Sequence, residues 1–336
     1  MDRARGRAAD DFTGCRAVSD LVDPQSRRRL DLAARAAWLY YIKSRTQDEI
    51  AVELGVSRQN VQRLVALALQ ERLIKFRLDH ELAECIELEQ RLRERFDLQV
   101  CEVVPGQRDG DDGRLGVGIA VAQLLEYFLS QKAPLTLAIG TGRTLREAVQ
   151  QVPAMDRPQH KIVSLVGNLT RDGRASPYDV VIRLADRVGA SCYPLPMPVV
   201  TDTAEEREQL HLQRGFQTVR TLVDEAKAHI MGIGQVAWGA PLNIDGFITD
   251  RELAQMMDLG AIGEIRGWTF DAAGRVLSGG FHDRLTAVPI VVPADHLAVI
   301  AGAGSHRAPA IRAALGGQLA NGLVTDELTA RLVLGD

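Results

Sequence analysis

Apolar positions in the first eighty residues fall at helical intervals. Between Ser26 and Ser44, Leu30, Ala33, Ala34, Ala37, Trp38, Tyr41 and Ile42 recur every three or four residues. This predicts a helix whose inner face carries all of them, aromatics included. A second helix is predicted from Thr46, which with Glu49 three residues on has the spacing of a capping box. Ile50, Ala51 and Leu54 give it an apolar face, and Gly55 offers the left-handed conformation that helix ends favour. Ser57 is placed to cap a third helix with Val61, Leu64 and Val65 inward. Leu73–Leu78 then alternates, which predicts a short strand with Lys75 and Arg77 on one face. Residues 80–97 follow as a highly charged helix with a narrow seam of Leu82, Cys85, Leu88, Leu92 and Phe96. Such a seam fits a linker helix pairing with a second copy, or equally the first helix of the next domain lying on its own sheet.

From Leu98 the texture changes to apolar runs, glycine turns and helical stretches in rotation. Strands are predicted at 98–104, 134–139, 162–166, 191–195, 229–234 and 297–301. Helices are predicted at 114–131, from Leu145, at 180–188, at 207–225 as one long element, and at 308–315. Asp271–Gly274 reads as a hairpin turn. Strand, glycine turn and helix in rotation indicate an α/β domain with a parallel sheet covered by helices. The expected organisation is an arginine-rich arm over 1–25, a winged helix-turn-helix domain over 26–79, the linker helix over 80–97 and an effector domain over 98–336.

Composition sharpens this in three respects. A chain of 336 residues, 46% hydrophobic and 25% charged, has material for two or three cored domains. Its net charge of -4 is unevenly spread: residues 1–80 carry +4 and the remainder -8. A basic head on an acidic body fits a nucleic-acid end and a small-molecule end. No apolar run is long enough to span a bilayer and the start lacks a secretory pattern, so a cytoplasmic location without a membrane partner is expected. Cys15, Cys85, Cys101 and Cys192 form no C-x-x-C pair and have no His at ligand spacing, which argues for buried or free thiols and no metal.

Two groups of residues carry candidate chemistry. Arg58, Gln59, Asn60, Gln62 and Arg63 lie on the outer face of the predicted third helix, with Thr46, Gln47 and Ser57 at the two helix starts. Amide and guanidinium groups in the first turns of such a helix can read base edges and hold phosphates in a major groove. The second group sits at strand ends, where parallel sheets bind ligands. Gly140, Thr141, Gly142, Arg143 and Thr144 open a helix, combining close backbone approach, two hydroxyls and a cation. An unliganded strand-to-helix turn is the alternative there. Gly167–Asn168, Gly232–Gln235 with Gly234, and Gly302–Arg307 end three further strands. In the last of these, Ser305, His306 and Arg307 can donate to an oxygen-rich ligand, and Glu264 is a candidate acceptor for sugar hydroxyls. There is no G-x-S-x-G, H-E-x-x-H, Walker loop or complete G-x-G-x-x-G, so neither catalytic set nor cofactor is assigned.

Several segments in this order resemble the SorC-type sugar-binding transcriptional regulators, also called the deoxyribonucleoside-regulator-like group. They are TQDEIAVELGVSRQNVQRLVALALQERLIKFRL, LAIGTGRTL, IVSLVGNL, MGIGQVA, GAIGEIRGWTFDAAGRVL and AGAGSHRAPAIRAAL. The resemblance runs from about Leu30 to the C-terminus. It implies a helix-turn-helix head and a body similar to sugar-phosphate isomerases and deaminases. It also implies a homo-oligomer, a dimer or more often a tetramer, on operator DNA. A small sugar, polyol or sugar phosphate would lie over Gly140–Thr144. The contacts it implies are Thr141, Gly142, Arg143, Thr144, Asn168, Glu264 and the Gly302–Arg307 loop. Many members have a lysine in that last loop, where this chain has Arg307 after His306; arginine keeps the charge but asks for a planar partner. The function so implied is regulation of carbohydrate or polyol catabolism. The alternative is a sugar-phosphate isomerase or deaminase with an accessory DNA-binding head.

Overall fold

The computed structural model describes residues 24–71, 73–74, 83–106, 113–170, 173–176 and 178–336. The expected arm lies almost wholly outside them, as do Lys75 and Arg77 of the expected wing. By its contacts the chain divides into two units, Met1–Leu78 and Asp79–Asp336.

Among its described residues the first unit has three helices: α1 (Pro24–Tyr41), α2 (Gln47–Leu54) and α3 (Arg58–Gln70). Thr46 and Glu49 form the reciprocal capping box at α2: the Thr46 N–H donates to Oε2 of Glu49 at 2.8 Å, and the Glu49 N–H to Oγ1 of Thr46 at 3.3 Å. Gly55 ends α2 at φ 64°, and Ser57 Oγ accepts from the Asn60 N–H to start α3. Ile50, Val61, Leu64, Val65 and Ala68 fill the core from α2 and α3. The expected face of α1 needs correction. Ala33, Ala36 and Ala37 are fully buried, whereas Trp38 is 48% exposed and Ile42, beyond the helix end, is 64% exposed. Three alanines bring α1 close to α3 and leave no room for an indole. Trp38 instead lies outside with the Lys43 ammonium 4.9 Å from its ring centroid.

The second unit begins with α4 (Ala83–Phe96), whose seam of Cys85, Leu88 and Leu92 is buried in this unit's own core. Seven parallel strands follow in the order β1-β10-β9-β5-β2-β3-β4. They are β1 (Val100–Val104), β2 (Thr136–Ile139), β3 (Lys161–Ser164), β4 (Ser191–Tyr193), β5 (Ala228–Gly232), β9 (Leu297–Ala301) and β10 (Gly322–Asp326). Both faces are covered, so neighbours along a strand alternate between two cores. Leu137, Ile139, Ile162 and Ile230 face α5 (Arg114–Leu129), α6 (Arg143–Gln151) and α7 (Val181–Val188). Ala138, Val163, Met231 and Ile300 face α4, α9 (Arg214–Asp224), α11 (Asp250–Asp258), α12 (Ala308–Gly316) and α13 (Glu327–Leu334). A short antiparallel sheet, β6 (Gly234–Gln235), β7 (Gly263–Ile265) and β8 (Trp268–Phe270), stands beyond the carboxyl end of β5.

The single helix expected at 207–225 is two, α8 (Ala204–Leu212) and α9, parted where Gln213 is extended at ψ 141°. Gly215 lies two residues beyond the break, in the first turn of α9. The break is held by the His211 ring stacked on Phe216 at 3.8 Å and by Gln217 Nε2 donating to the His211 carbonyl at 2.6 Å.

Candidate functional site

In the first unit Ser57, Arg58, Gln59, Asn60, Gln62 and Arg63 are all exposed along one side of α3, and Thr46 and half-buried Gln47 stand at the start of α2. Arg58 reaches Asp48 across the turn at 3.2 Å, an exposed pair with both side chains more than 60% accessible. Such a pair holds the guanidinium weakly, leaving it able to exchange partners.

In the second unit a cleft opens where β2 and β5 lie side by side. The chain leaves β2 through Gly140 into α6 on one face of the sheet, and leaves β5 through Gly232 into β6 on the other. Divergence of two adjacent strands makes a crevice at their carboxyl ends. Gly140, Thr141, Gly142, Arg143, Thr144, Gly234, Glu264 and Arg307 line it together. Residues as far apart in sequence as Gly140 and Arg307 are thus gathered into one cavity. The N-terminus of α6 faces this space from Gly142, at φ 129° and without a side-chain cap.

Asn168, Gly302, Ser305 and His306 do not line the cavity. Gly302 is interior: a Cβ there would meet Ile233 at 2.7 Å. His306 is exposed. Asn168 turns Nδ2 toward Asp179 at 2.8 Å. These residues shape neighbouring turns, since strand-end position alone does not say which way a side chain points.

The cavity's polar groups are mostly engaged with one another. Thr141 donates its hydroxyl to the Tyr178 carbonyl at 2.6 Å, which pins the loop. Arg143 pairs with Asp245 at 3.0 Å, lies over the Tyr178 ring and donates to the Tyr178 hydroxyl at 3.4 Å. Glu264 sits opposite Gly234 in the β6–β7 register. A Cβ on Gly234 would come within 2.5 Å of its Oε1, so glycine makes room for the carboxylate. The other oxygen accepts from the Gly267 N–H at 2.9 Å. Burial pushes the Glu264 carboxyl above the usual range, against the Gly267 hydrogen bond and the Arg307 charge. Tyr178, Asp245 and Arg266 also line the cleft; none of them ends a strand of the main sheet, which is where the sequence reading looked for ligand contacts.

A raised carboxyl pKa has a defined sign. The folded state holds the Glu264 proton more tightly than the unfolded state, so this group costs stability as pH rises from the unfolded carboxyl range through the higher folded value. Glu264→Gln is therefore expected to raise the midpoint of thermal unfolding at neutral pH. The gain should shrink as pH falls toward the unfolded glutamate value. Melting the two proteins side by side across that range checks it, and a gain that grows at low pH contradicts the assignment.

Residues 80–335 match the Sugar-bind family, described as "Putative sugar-binding domain". The chain is 36% identical over 305 residues to the erythritol catabolism regulatory protein EryD of Brucella abortus, covering 90% of this chain and 96% of that one. It is 33% identical to the transcriptional regulator LsrR of Klebsiella pneumoniae, over 90% of this chain and 93% of that one. The crystal structure of the full-length sorbitol operon regulator SorC of Klebsiella pneumoniae has the same fold, with a TM-score of 0.67 at 23% identity, covering 91% of this chain and 99% of that one. The chain belongs to the SorC-type family of sugar-binding transcriptional regulators. Within a SorC-type regulator the cleft at the β2–β5 divergence is the natural candidate for the sugar site. Among the described residues no helix is long and apolar enough to cross a membrane.

Proposed function

We propose that this SorC-type regulator reads operator DNA through α3, in a cytoplasmic homo-oligomer. A small sugar, polyol or sugar phosphate held in the cleft sets its affinity for that DNA. The observation that carries the reading is the convergence of Gly140–Thr144, Gly234, Glu264 and Arg307 on one cavity, in a chain whose head exposes Gln59 and Asn60. The EryD name, which speaks of erythritol catabolism, supports a polyol or its derivative as the metabolite. We read the chain as a sensor rather than an isomerase or deaminase. In support, Glu264, the half-buried carboxyl in the cleft whose pKa is raised, is tied to a backbone N–H, and Asp245 is tied to Arg143.

Side-chain amides of this kind discriminate between bases by about 1–3 kcal/mol per good bidentate pair. Asn60→Ala is thus expected to weaken binding to DNA from the chain's own upstream region about tenfold or more, with Gln59→Ala acting the same way. Binding to unrelated DNA should be unchanged. Fluorescence anisotropy with and without a small-sugar panel measures both halves. Parental affinity in both variants defeats the head assignment. Operator affinity indifferent to every sugar, polyol and phosphate ester defeats the sensor assignment.

A further inference from the structure

One wall of the cleft is a short segment that the rest of the domain holds loosely. Between β6 and α11 the chain passes Gly239, α10 (Pro241–Ile244), Asp245 and Gly246. Pro241, Leu242 and Asp245 line the cavity. Ala240 is buried, by a methyl group, whereas residues 239 and 241–246 are half-buried or exposed. The backbone hydrogen bonds of the segment close on itself. Asn243 and Ile244 donate to the Ala240 carbonyl, Asp245 to Pro241, Gly246 to Asn243, and Phe247 and Ile248 to Leu242. Firm anchorage resumes at Phe247 and Ile248, both in the core of the second unit.

The two ends and the tip add separate observations. Gly239 and Gly246 both have φ 78°, and a Cβ on either would meet nothing within 4 Å. Glycine joints with open space around them are what a hinged segment needs at its ends. At the tip, among the described residues, Asp245 is the side-chain tie across the mouth. It comes from the lip after β5 and accepts from Arg143 Nη2, on the lip after β2, at 3.0 and 3.4 Å. The Tyr178 hydroxyl adds a longer contact to the same carboxylate at 3.5 Å. The Asp245 side chain is 13% exposed and that of Arg143 32%, so water screens this pair less than an open surface pair.

We propose that residues 239–246 are a lid on the cleft, latched shut by the Asp245–Arg143 pair, and that the cleft fills and empties by breaking that pair. A wall that packs little, swivels on glycine at both ends and is tied by one ion pair can open while the sheet beneath it stays folded. Only the unlatched fraction admits a ligand, so the latch sets how fast the cleft fills. The regulatory meaning of the lid rests on the cleft being the effector site. Its opening does not, and is measured with no ligand present.

Val166 lines the cavity and is 4% exposed, so a cysteine in its place reports opening. The full chain carrying Val166→Cys is treated with a small maleimide. Mass spectrometry follows the modified peptide with time, apart from the four native cysteines. Adding Asp245→Asn keeps the size of the side chain and removes its charge. It is expected to speed labelling about tenfold, the loss of one hydrogen bond between charged groups. Amide hydrogen exchange over 240–246 should rise with it, while β2 and β5 exchange at the parental rate and the melting temperature is little changed. Arg143→Gln should act alike, and the two together should open the lid no further than either alone, because one latch is broken in each case. Labelling at the parental rate in Asp245→Asn overturns the proposal. Acceleration that extends to β2 and β5 with a large fall in melting temperature makes the pair a brace of the whole domain and also overturns it. A lid that opens on unlatching in a protein whose DNA binding ignores every sugar leaves the lid standing and defeats only the effector reading.

Discussion

Gly274→Ala is expected to destabilise the second unit by about 3 kcal/mol or more, the sum of a left-handed alanine and a forced overlap with rigid neighbours. Gly274 has φ 76°, and a Cβ there would lie 2.2 Å from the Ala313 carbonyl oxygen and 2.6 Å from the Gly317 Cα. Those atoms are backbone at the end of α12 and cannot rotate away. The crossing is reciprocal, since a Cβ on Gly317 would come within 2.5 Å of the Gly274 oxygen. Two glycines thus let the turn after β8 lie flat on α12. That contact seats the hairpin that presents Glu264 and Arg266 to the cleft. Urea unfolding should show the loss as a lower midpoint at unchanged slope. Gly239→Ala is the control: φ is 78° but no atom lies within 4 Å of the added methyl, so only the backbone cost of about 1–2 kcal/mol is expected. Equal losses in the two variants would show that the crossing on α12 adds nothing.

The same turn shows where sequence reasoning reached and where it stopped. Asp271–Gly274 was legible as a turn because Asp271 can hold its own backbone, and its Oδ1 accepts from the N–H groups of Ala273 and Arg275. The helix Gly274 packs against was legible too, but their contact was not, because nothing local encodes it. The strands with glycine at their carboxyl ends were read from short-range pattern. Strand β10 and helix α13 were not, although β10 lies inside the sheet between β1 and β9. Its run of Gly322–Asp326 ends in polar Thr325 and Asp326, so it lacked the apolar length that announces a buried strand. Both residues are buried because they bond inward: Thr325 to the Gly302 carbonyl, and Asp326 to the Gly304 N–H and the start of α13. Helix α11 carried the same Thr-x-x-Glu mark as α2, and Thr249 and Glu252 do form a capping box.

The site divides along the same line. The Gly140–Thr144 loop is a contiguous motif on one turn, so its place in the cleft followed from position. Arg143 was expected to meet a ligand anion, yet its partner in the fold is Asp245, about a hundred residues on. Arg266 reads in sequence as an ordinary surface arginine beside a turn glycine. Only the packing of the hairpin against Met231 and His229 makes it a buried cation. Charge balance in a cavity is a long-range property, and one-dimensional pattern does not carry it.

Reversing both head arginines, Arg58→Glu with Arg63→Glu, is expected to reduce operator binding by about a hundredfold or more at moderate salt. Each phosphate contact contributes about one unit to the slope of log affinity against log salt. The double variant should therefore also flatten that slope by about two. This separates it from Asn60→Ala, which lowers sequence preference at an unchanged slope. Folding should survive, because both side chains are exposed and, among the described residues, the ion pair involved is the open contact of Arg58 with Asp48. The helix start argues further that Arg58 is there for a partner. It is the first residue of α3, whose first turn holds no acidic side chain. A cation at that end opposes the helix dipole, whereas glutamate would favour it by about 0.3–1 kcal/mol. Arg58→Glu alone is thus expected to leave the head as stable or slightly more so while weakening its grip on DNA. Loss of stability and binding together would point to a structural arginine. Loss of binding with stability kept or gained is the signature of a residue placed for the phosphate backbone.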